Sequence, residues 1–317
     1  MRLRWPLLLV LLAAVCAAGC GSSGSQAARP PAAVAAGEDP EPVIDPGTAP
    51  IEDLRPAPGT LPRVRVLGRS PARVRLRQGI RSGLAFDLGS GRVLWSRDAH
   101  RVLPIASLTK LMTALLVTEA TRPRDVVRIP RDVARARGSR MGHLKPGRSV
   151  RVEALLHGLL MSSGNDAAVA LAVHVAGSQR RFVRRMNERA KRWALPCTRF
   201  ADPHGLDPRN TSCAEDLAQL AEHALNDERI ARIARKRSAK VRIGSLGLRW
   251  LATTNPLLRV RYPGTVGLKT GFTNRAGRCL VAAVRRGGRT RVVVLLHAEN
   301  PGEGVQRVLE TLTRNGT

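Results

Sequence analysis

The chain has 317 residues, with 53 Lys and Arg against 24 Asp and Glu, for a formal charge of +29. Its 43% hydrophobic content can fill one large domain or two smaller ones, and only the first twenty residues could engage a bilayer core, which excludes a polytopic membrane protein. Aromatic residues make up 3%, which argues against stacking on single-stranded nucleic acid. Arg supplies 47 of the 53 basic residues, the mark of an Arg-favouring composition, so the charge alone names no partner.

Residues 1–20, MRLRWPLLLVLLAAVCAAGC, join a basic start at Arg2 and Arg4 to a short apolar run and a small-residue ending, the layout of an export signal. The Ala17-Ala18-Gly19-Cys20 ending resembles a bacterial lipobox, with Ala17 where Leu is preferred. This implies lipidation at Cys20, an ordinary signal peptide being the alternative. The reading places the mature protein outside the cytoplasm, in the cell envelope, with a membrane anchor and no nucleic-acid partner. Residues 21–77 carry ten of the 21 prolines with no periodicity and are expected to form a Pro-rich disordered tether, leaving 78–317 as the folded part.

Within 78–317, Gly83–Leu88 and Arg92–Trp95 flank a Gly-Ser-Gly turn and predict a β-hairpin. Residues 106–121 predict a helix with Leu108, Leu111, Met112 and Leu115 on one stripe. A more apolar helical region over 152–176 is broken by Ser162-Ser163-Gly164-Asn165, and charged helices are expected over 178–193 and 214–236. Leu280–Val284 and Arg291–His297, joined by Gly287-Gly288, predict a second hairpin, followed by a short helix over Gly304–Thr313. Strands at both ends with helices between imply an α+β fold whose sheet joins distant segments. Cys197 and Cys213 could close a loop in an oxidising compartment, while Cys279 lies in an apolar run as a buried thiol. No Cys/His spacing resembles a zinc site, so neither metal nor other cofactor is expected.

Three polar groups interrupt this pattern. Ser107-Leu-Thr-Lys110 puts a hydroxyl and an amine on one helical face near a helix N-terminus, where the dipole suits a developing oxyanion. Lys110 could take the hydroxyl proton only with a lowered pKa. Ser163-Gly164-Asn165 is either a capped helix break or a polar loop facing a cleft. Lys269-Thr270-Gly271 is either an ordinary edge strand or a carboxylate-recognising one, its Gly permitting close ligand approach.

Together and in this order the three resemble the serine penicillin-recognising enzymes. The stretches PIASLTKLMTALL, GSRMGHLKPG, LLMSSGNDAAVALA, FADPHGLD and YPGTVGLKTGFTNRAGRCLVAAV narrow the resemblance to the D-alanyl-D-alanine carboxypeptidases of the S11 peptidase type, over residues 80–300. The resemblance implies a β-lactamase/transpeptidase-like fold, an antiparallel sheet flanked by helices with a helical subdomain. It implies Ser107 as nucleophile, Lys110 as its base, Ser163 as proton relay and Asn165 as a partner of Lys110 and of a substrate amide. Lys269 and Thr270 would bind the substrate carboxylate, Gly271 would admit it, and the backbone N–H groups of Ser107 and Phe272 would form the oxyanion hole. The implied partners are a peptidoglycan stem peptide ending in D-Ala-D-Ala and β-lactams as covalent inhibitors.

The family's carboxylate-gripping Arg has no clear counterpart; counting forward reaches Gly304, with Arg307 nearby. Cys213 stands where relatives often carry Thr, which supports a local disulfide. A class A β-lactamase would need a deacylating Glu some way after the Ser-x-Asn motif, and Cys197–Asp202 contains none. A non-catalytic envelope-binding protein is the other alternative, resting on the basic run over 180–192, which otherwise reads as a solvated helix face.

Overall fold

The computed structural model describes residues 79–315, apart from 143, 245 and 246, together with residues 64, 72–74 and 76. The expected signal peptide, with Cys20, and most of the expected tether lie outside the described residues. Ala72 is buried, and Val74 and Leu76 pack with it against the sheet, so the folded unit takes in the last part of the stretch read as tether.

The chain begins with β1 (Ile80–Asp87), β2 (Val93–Arg97), β3 (Leu103–Pro104), a 3-10 turn (Ala106–Thr109) and α1 (Lys110–Ala120). There follow β4 (Val126–Arg128), β5 (Ser149–Arg151), α2 (Val152–Leu160), α3 (Asn165–Ala176) and α4 (Gln179–Arg192). Next come β6 (Thr211–Ser212), α5 (Ala214–Asn226), α6 (Glu228–Ala234), β7 (Ser238–Arg242), β8 (Leu248–Ala252) and α7 (Pro256–Arg259). The last elements are β9 (Thr265–Thr273), β10 (Gly277–Arg286), β11 (Arg289–Ala298) and α8 (Pro301–Arg314). The fold is α+β, and its main sheet is antiparallel in the order β2-β1-β11-β10-β9, so the N-terminal hairpin joins the C-terminal strands as the sequence implied.

Alternation along these strands divides the core in two. Val281, Ala283, Val292, Val294 and Leu296 face the helical layer with Leu84 and Phe86. Leu280, Ala282, Val284, Val293 and Leu295 face the other way and meet Val305, Val308, Leu309 and Leu312 of α8. Burial on both faces explains why β11 reads as an unbroken apolar run. The expected single stripe on α1 is a wider surface: every residue from Lys110 to Val117 is buried, because α2, α3, α5 and α6 surround this helix. The helix expected over 214–236 is divided, since Asp227 accepts the Ile230 N–H at 3.0 Å and caps α6. The hairpin of β7 and β8 has no counterpart in the sequence reading.

Cys197 and Cys213 form a disulfide, and Cys279 is a buried free thiol. Among the described residues no helix is long and apolar enough to cross a membrane.

Glu222, buried on α5, has an Oε1 without a hydrogen-bond partner among the described residues, and burial raises its carboxyl from 4.5 to about 7. A folded-state value above the unfolded one means stability is fully present below 4.5 and is lost as pH rises through about 7. Glu222→Gln should therefore raise Tm at pH 8 and leave it nearly unchanged at pH 4.5, as thermal denaturation at the two pH values would show.

Candidate active site

The polar groups singled out in the sequence meet where edge strand β9 passes the 3-10 turn and the start of α3. Ser107 lies in that turn, half-buried, and Lys110 follows as the first residue of α1, fully buried. A spacing of three brings the Lys110 Nζ to 2.8 Å from the Ser107 Oγ. Nζ also lies 2.7 Å from the Asn165 Oδ1 and 2.6 Å from the His204 carbonyl oxygen.

These last two partners can only accept. A neutral amine has two protons and one lone pair. Given to Asn165 and His204, the protons leave the lone pair for the Ser107 hydroxyl. Burial lowers the Lys110 pKa well below its ordinary value, and the second cation at Lys269 lowers it further, against the weaker opposing pull of Asp202 and Asp166. Burial and Lys269 thus favour the neutral amine, and the two acceptors orient its lone pair.

Asn165 is set by the loop before β5. Its Nδ2 donates to the Arg137 carbonyl at 2.6 Å and its backbone N–H to the Ser139 carbonyl at 2.7 Å. Asp166 accepts the Met141 N–H at 2.9 Å from the same loop. Ser162–Asn165 separates α2 from α3 without a side-chain cap on α3: Ser163 adopts a left-handed backbone (φ 60°) and turns its hydroxyl to the Lys269 Nζ at 3.0 Å.

Lys269 is buried, donates to the Thr270 carbonyl at 2.9 Å, and is pushed down to about 7 by burial. It sits opposite Val281 on β10 and so faces the helical layer with Lys110. Gly271 passes so close to the 3-10 turn that an added Cβ would lie 2.9 Å from the Ile105 carbonyl oxygen and 3.1 Å from the Ser107 nitrogen. Phe272 is exposed with Arg278 over its ring. All eight residues picked from the sequence thus lie around one junction.

Three contributions had gone unread. Thr254, just beyond β8, places its Oγ1 2.6 Å from the Thr270 Oγ1. The carbonyls of Arg137 and His204 hold Asn165 and Lys110, and a backbone carbonyl leaves no mark in side-chain identity. Asp202 is the third: it accepts the N–H groups of His204 at 2.8 Å and of Gly205 and Asp207, which fixes the loop carrying the His204 carbonyl. Burial opposes ionisation there, but the His204 ring and these backbone donors hold the carboxyl down to about 2. His204 is a loop brace, its Nδ1 3.1 Å from the Asp202 Oδ1. Arg307, the nearest candidate for the missing Arg, pairs with Glu303 at 2.8 Å on α8.

A half-buried Ser beside a buried Lys, a second lysine on an edge strand and an Asn bridging from a helix start thus meet at one junction of the α+β fold. The family model for D-alanyl-D-alanine carboxypeptidases, peptidase S11, matches residues 77–300, and the chain belongs to this family. D-alanyl-D-alanine carboxypeptidase DacF of Bacillus subtilis (strain 168) is 34% identical over 238 residues, covering 73% of this chain and 61% of that protein. DacB2 of Mycobacterium tuberculosis (strain ATCC 25618 / H37Rv) is 36% identical, with 68% and 73% covered. Among solved structures, a D-alanyl-D-alanine carboxypeptidase from Mycobacterium tuberculosis H37Rv matches with TM-score 0.72 at 30% identity, over 77% of this chain and 95% of that one. The Streptomyces K15 DD-transpeptidase matches with TM-score 0.69 at 28% identity, over 74% and 97%. The chain spans less than two thirds of the length of the DacF relative it matches.

Gly205 has φ +91°, and a Cβ there would lie 1.9 Å from the Ala106 carbonyl oxygen. Gly205→Ala should destabilise the fold by about 3 kcal/mol or more, since strain and a backbone clash add. A markedly lowered Tm by calorimetry is the expected outcome.

Proposed function

We propose that this protein is a serine-type D-Ala-D-Ala carboxypeptidase that removes the terminal D-Ala from peptidoglycan stem peptides through an acyl-enzyme on Ser107. The observation that carries this reading is the hydrogen-bond set of Lys110, which leaves its lone pair for the Ser107 hydroxyl.

In this mechanism the substrate lies along the open edge of β9, its terminal carboxylate held by the Lys269 ammonium and the Thr270 hydroxyl, with Gly271 admitting the backbone. Lys110 takes the Ser107 proton as Oγ attacks the carbonyl of the penultimate residue. The N–H groups of Ser107 and Phe272 receive the oxyanion. Ser163 returns a proton to the amine of the departing D-Ala, and Asn165 holds Lys110 and a substrate amide. Water then attacks the ester, with Lys110 again as base. A β-lactam, with its strained amide and carboxylate, would acylate the same hydroxyl.

The class A β-lactamase alternative lacks support, since no Glu bonds to Ser107 or Lys110 among the described contacts. The basic run on α4 supports the binding-module alternative only as an exposed helix face. The proposal includes an extracytoplasmic, envelope location, a lipid anchor at Cys20, a tether over the first part of 21–77 and a catalytic domain that takes in the last part of that stretch.

Exposed to penicillin, the protein should gain one covalent adduct by intact mass, absent from Ser107→Ala, with acylation slowed roughly a thousandfold or more in Lys110→Ala. No adduct on folded wild type would overturn the reading, and rapid loss of the adduct would favour the β-lactamase. The acylation rate should be bell-shaped in pH. It rises as Lys110 loses its proton, and falls as Lys269, held at about 7, loses the charge that binds the carboxylate. A profile without the alkaline limb would remove Lys269 from that role.

A further inference from the structure

The hydroxyl of Thr270 is not alone at the edge of β9. Its Oγ1 lies 2.6 Å from the Thr254 Oγ1, a spacing at which one hydroxyl donates and the other accepts. Each hydroxyl has a single proton. If Thr270 donates to Thr254, that proton is spent within the protein, and Thr270 offers an arriving anion only lone pairs. If Thr254 donates, Thr270 accepts one bond and keeps its own proton to give. A carboxylate docking at Thr270 selects the second arrangement. A hydrogen bond to an ionised oxygen outweighs one between neutral groups, and the bond that Thr270 accepts polarises the one it gives.

The backbone sets Thr254 in place for this. Its N–H donates to the Met161 carbonyl at 3.0 Å, at the end of α2, and the Thr253 N–H donates to the Arg237 carbonyl at 2.8 Å. On the other side Asn255 is buried and caps α7, its Oδ1 accepting the Leu257 N–H at 3.0 Å, and α7 packs on β9. Met161 stands two residues before Ser163, whose hydroxyl meets Lys269 at 3.0 Å, and Lys269 donates to the Thr270 carbonyl at 2.9 Å. Thr254 therefore closes a ring of hydrogen bonds that ties the loop between α2 and α3 to the Lys269–Thr270 segment of β9. The Met161 link uses only the backbone of Thr254, whereas the Thr270 link needs its hydroxyl. Thr254 is exposed and Thr270 half-buried, so a bond between their hydroxyls adds little to folding that water would not supply.

We infer that Thr254 is a positioning residue for substrate binding: it donates to Thr270 and so directs the Thr270 proton at the carboxylate, which gives the site part of its preference for a ligand ending in an anion. The inference rests on the carboxypeptidase reading above, in which Thr270 holds the terminal carboxylate. Thr254 acts through Thr270 and makes no contact with the bond that is cut. The contact it supports is present before and during acylation alike, so its loss raises KM and leaves kcat.

The test measures acylation by penicillin and by penicillin methyl ester, whose carboxylate is blocked, together with KM and kcat on a peptide ending in D-Ala-D-Ala. The proteins are wild type, Thr254→Val, Thr254→Ser, Thr270→Val and the double variant with Val at both positions. Valine keeps the shape of threonine and removes only the hydroxyl. Thr254→Val should slow penicillin acylation and raise the peptide KM about fivefold, the size of one neutral hydrogen bond, while the methyl ester reacts as with wild type. Thr254→Ser should recover most of the loss, and Thr254→Val should add nothing in a protein that already lacks the Thr270 hydroxyl. Equal slowing of penicillin and its ester, no slowing at all, or a further loss in the double variant would overturn the inference and leave the carboxypeptidase reading in place. Folded wild type that gains no penicillin adduct would remove that reading, and the inference with it.

Discussion

The site depends on keeping an amine away from water. Lys110 is enclosed by its own helix, by Asn165 at the start of α3 and by the loop carrying the His204 carbonyl. Desolvation disfavours the ammonium form, and the two acceptors then dictate where the lone pair points. Much of the helical layer can be understood as support for this enclosure. The surrounding helices leave α1 without a solvent face from Lys110 to Val117, and Lys110 is fully buried.

The enclosure is assembled from segments far apart in the chain, each held by backbone hydrogen bonds. The 137–141 loop fixes Asn165, and Asp202 gathers the turn that presents the His204 carbonyl. The Cys197–Cys213 disulfide, with the pairing of β3 and β6, closes the base of that turn. By loop-entropy reasoning, a link across a step of this length contributes about 3 kcal/mol. The edge strand completes the site from the opposite side, where Gly271 lets β9 pass against the turn that holds Ser107.

The meeting of these polar groups was legible because they stood at fixed local spacings inside apolar patterns: Ser107 with Lys110, Ser163 with Asn165, Lys269 with Thr270. The two outer hairpins and most helices were legible for the same reason, since their periodicity follows from which faces are buried. The remainder depended on tertiary context. Thr254 gains meaning only from Thr270 across a gap in sequence, and the His204 contribution comes from a carbonyl that any residue could supply. Residues 238–252 hid a hairpin because basic residues occupy much of its exposed surface, while Ala239, Val241, Ile243 and Leu251 mark its buried side among the described residues. Asn226-Asp227-Glu228 did carry a cap signal that divides α5 from α6, outweighed in the reading by the helical pattern on both sides.

Two buried lysines facing one junction cannot both hold a proton without repelling each other, and Lys269 is the chief charge acting to depress Lys110. In the proposed mechanism a carboxylate docking at Lys269 acts as a counter-ion that holds the proton there. The same negative charge offsets part of the repulsion that Lys269 exerts on Lys110, so burial is left as the chief force keeping the Lys110 amine neutral once the cleft is filled. A ligand without a negative charge would leave the Lys269 ammonium buried and unpaired.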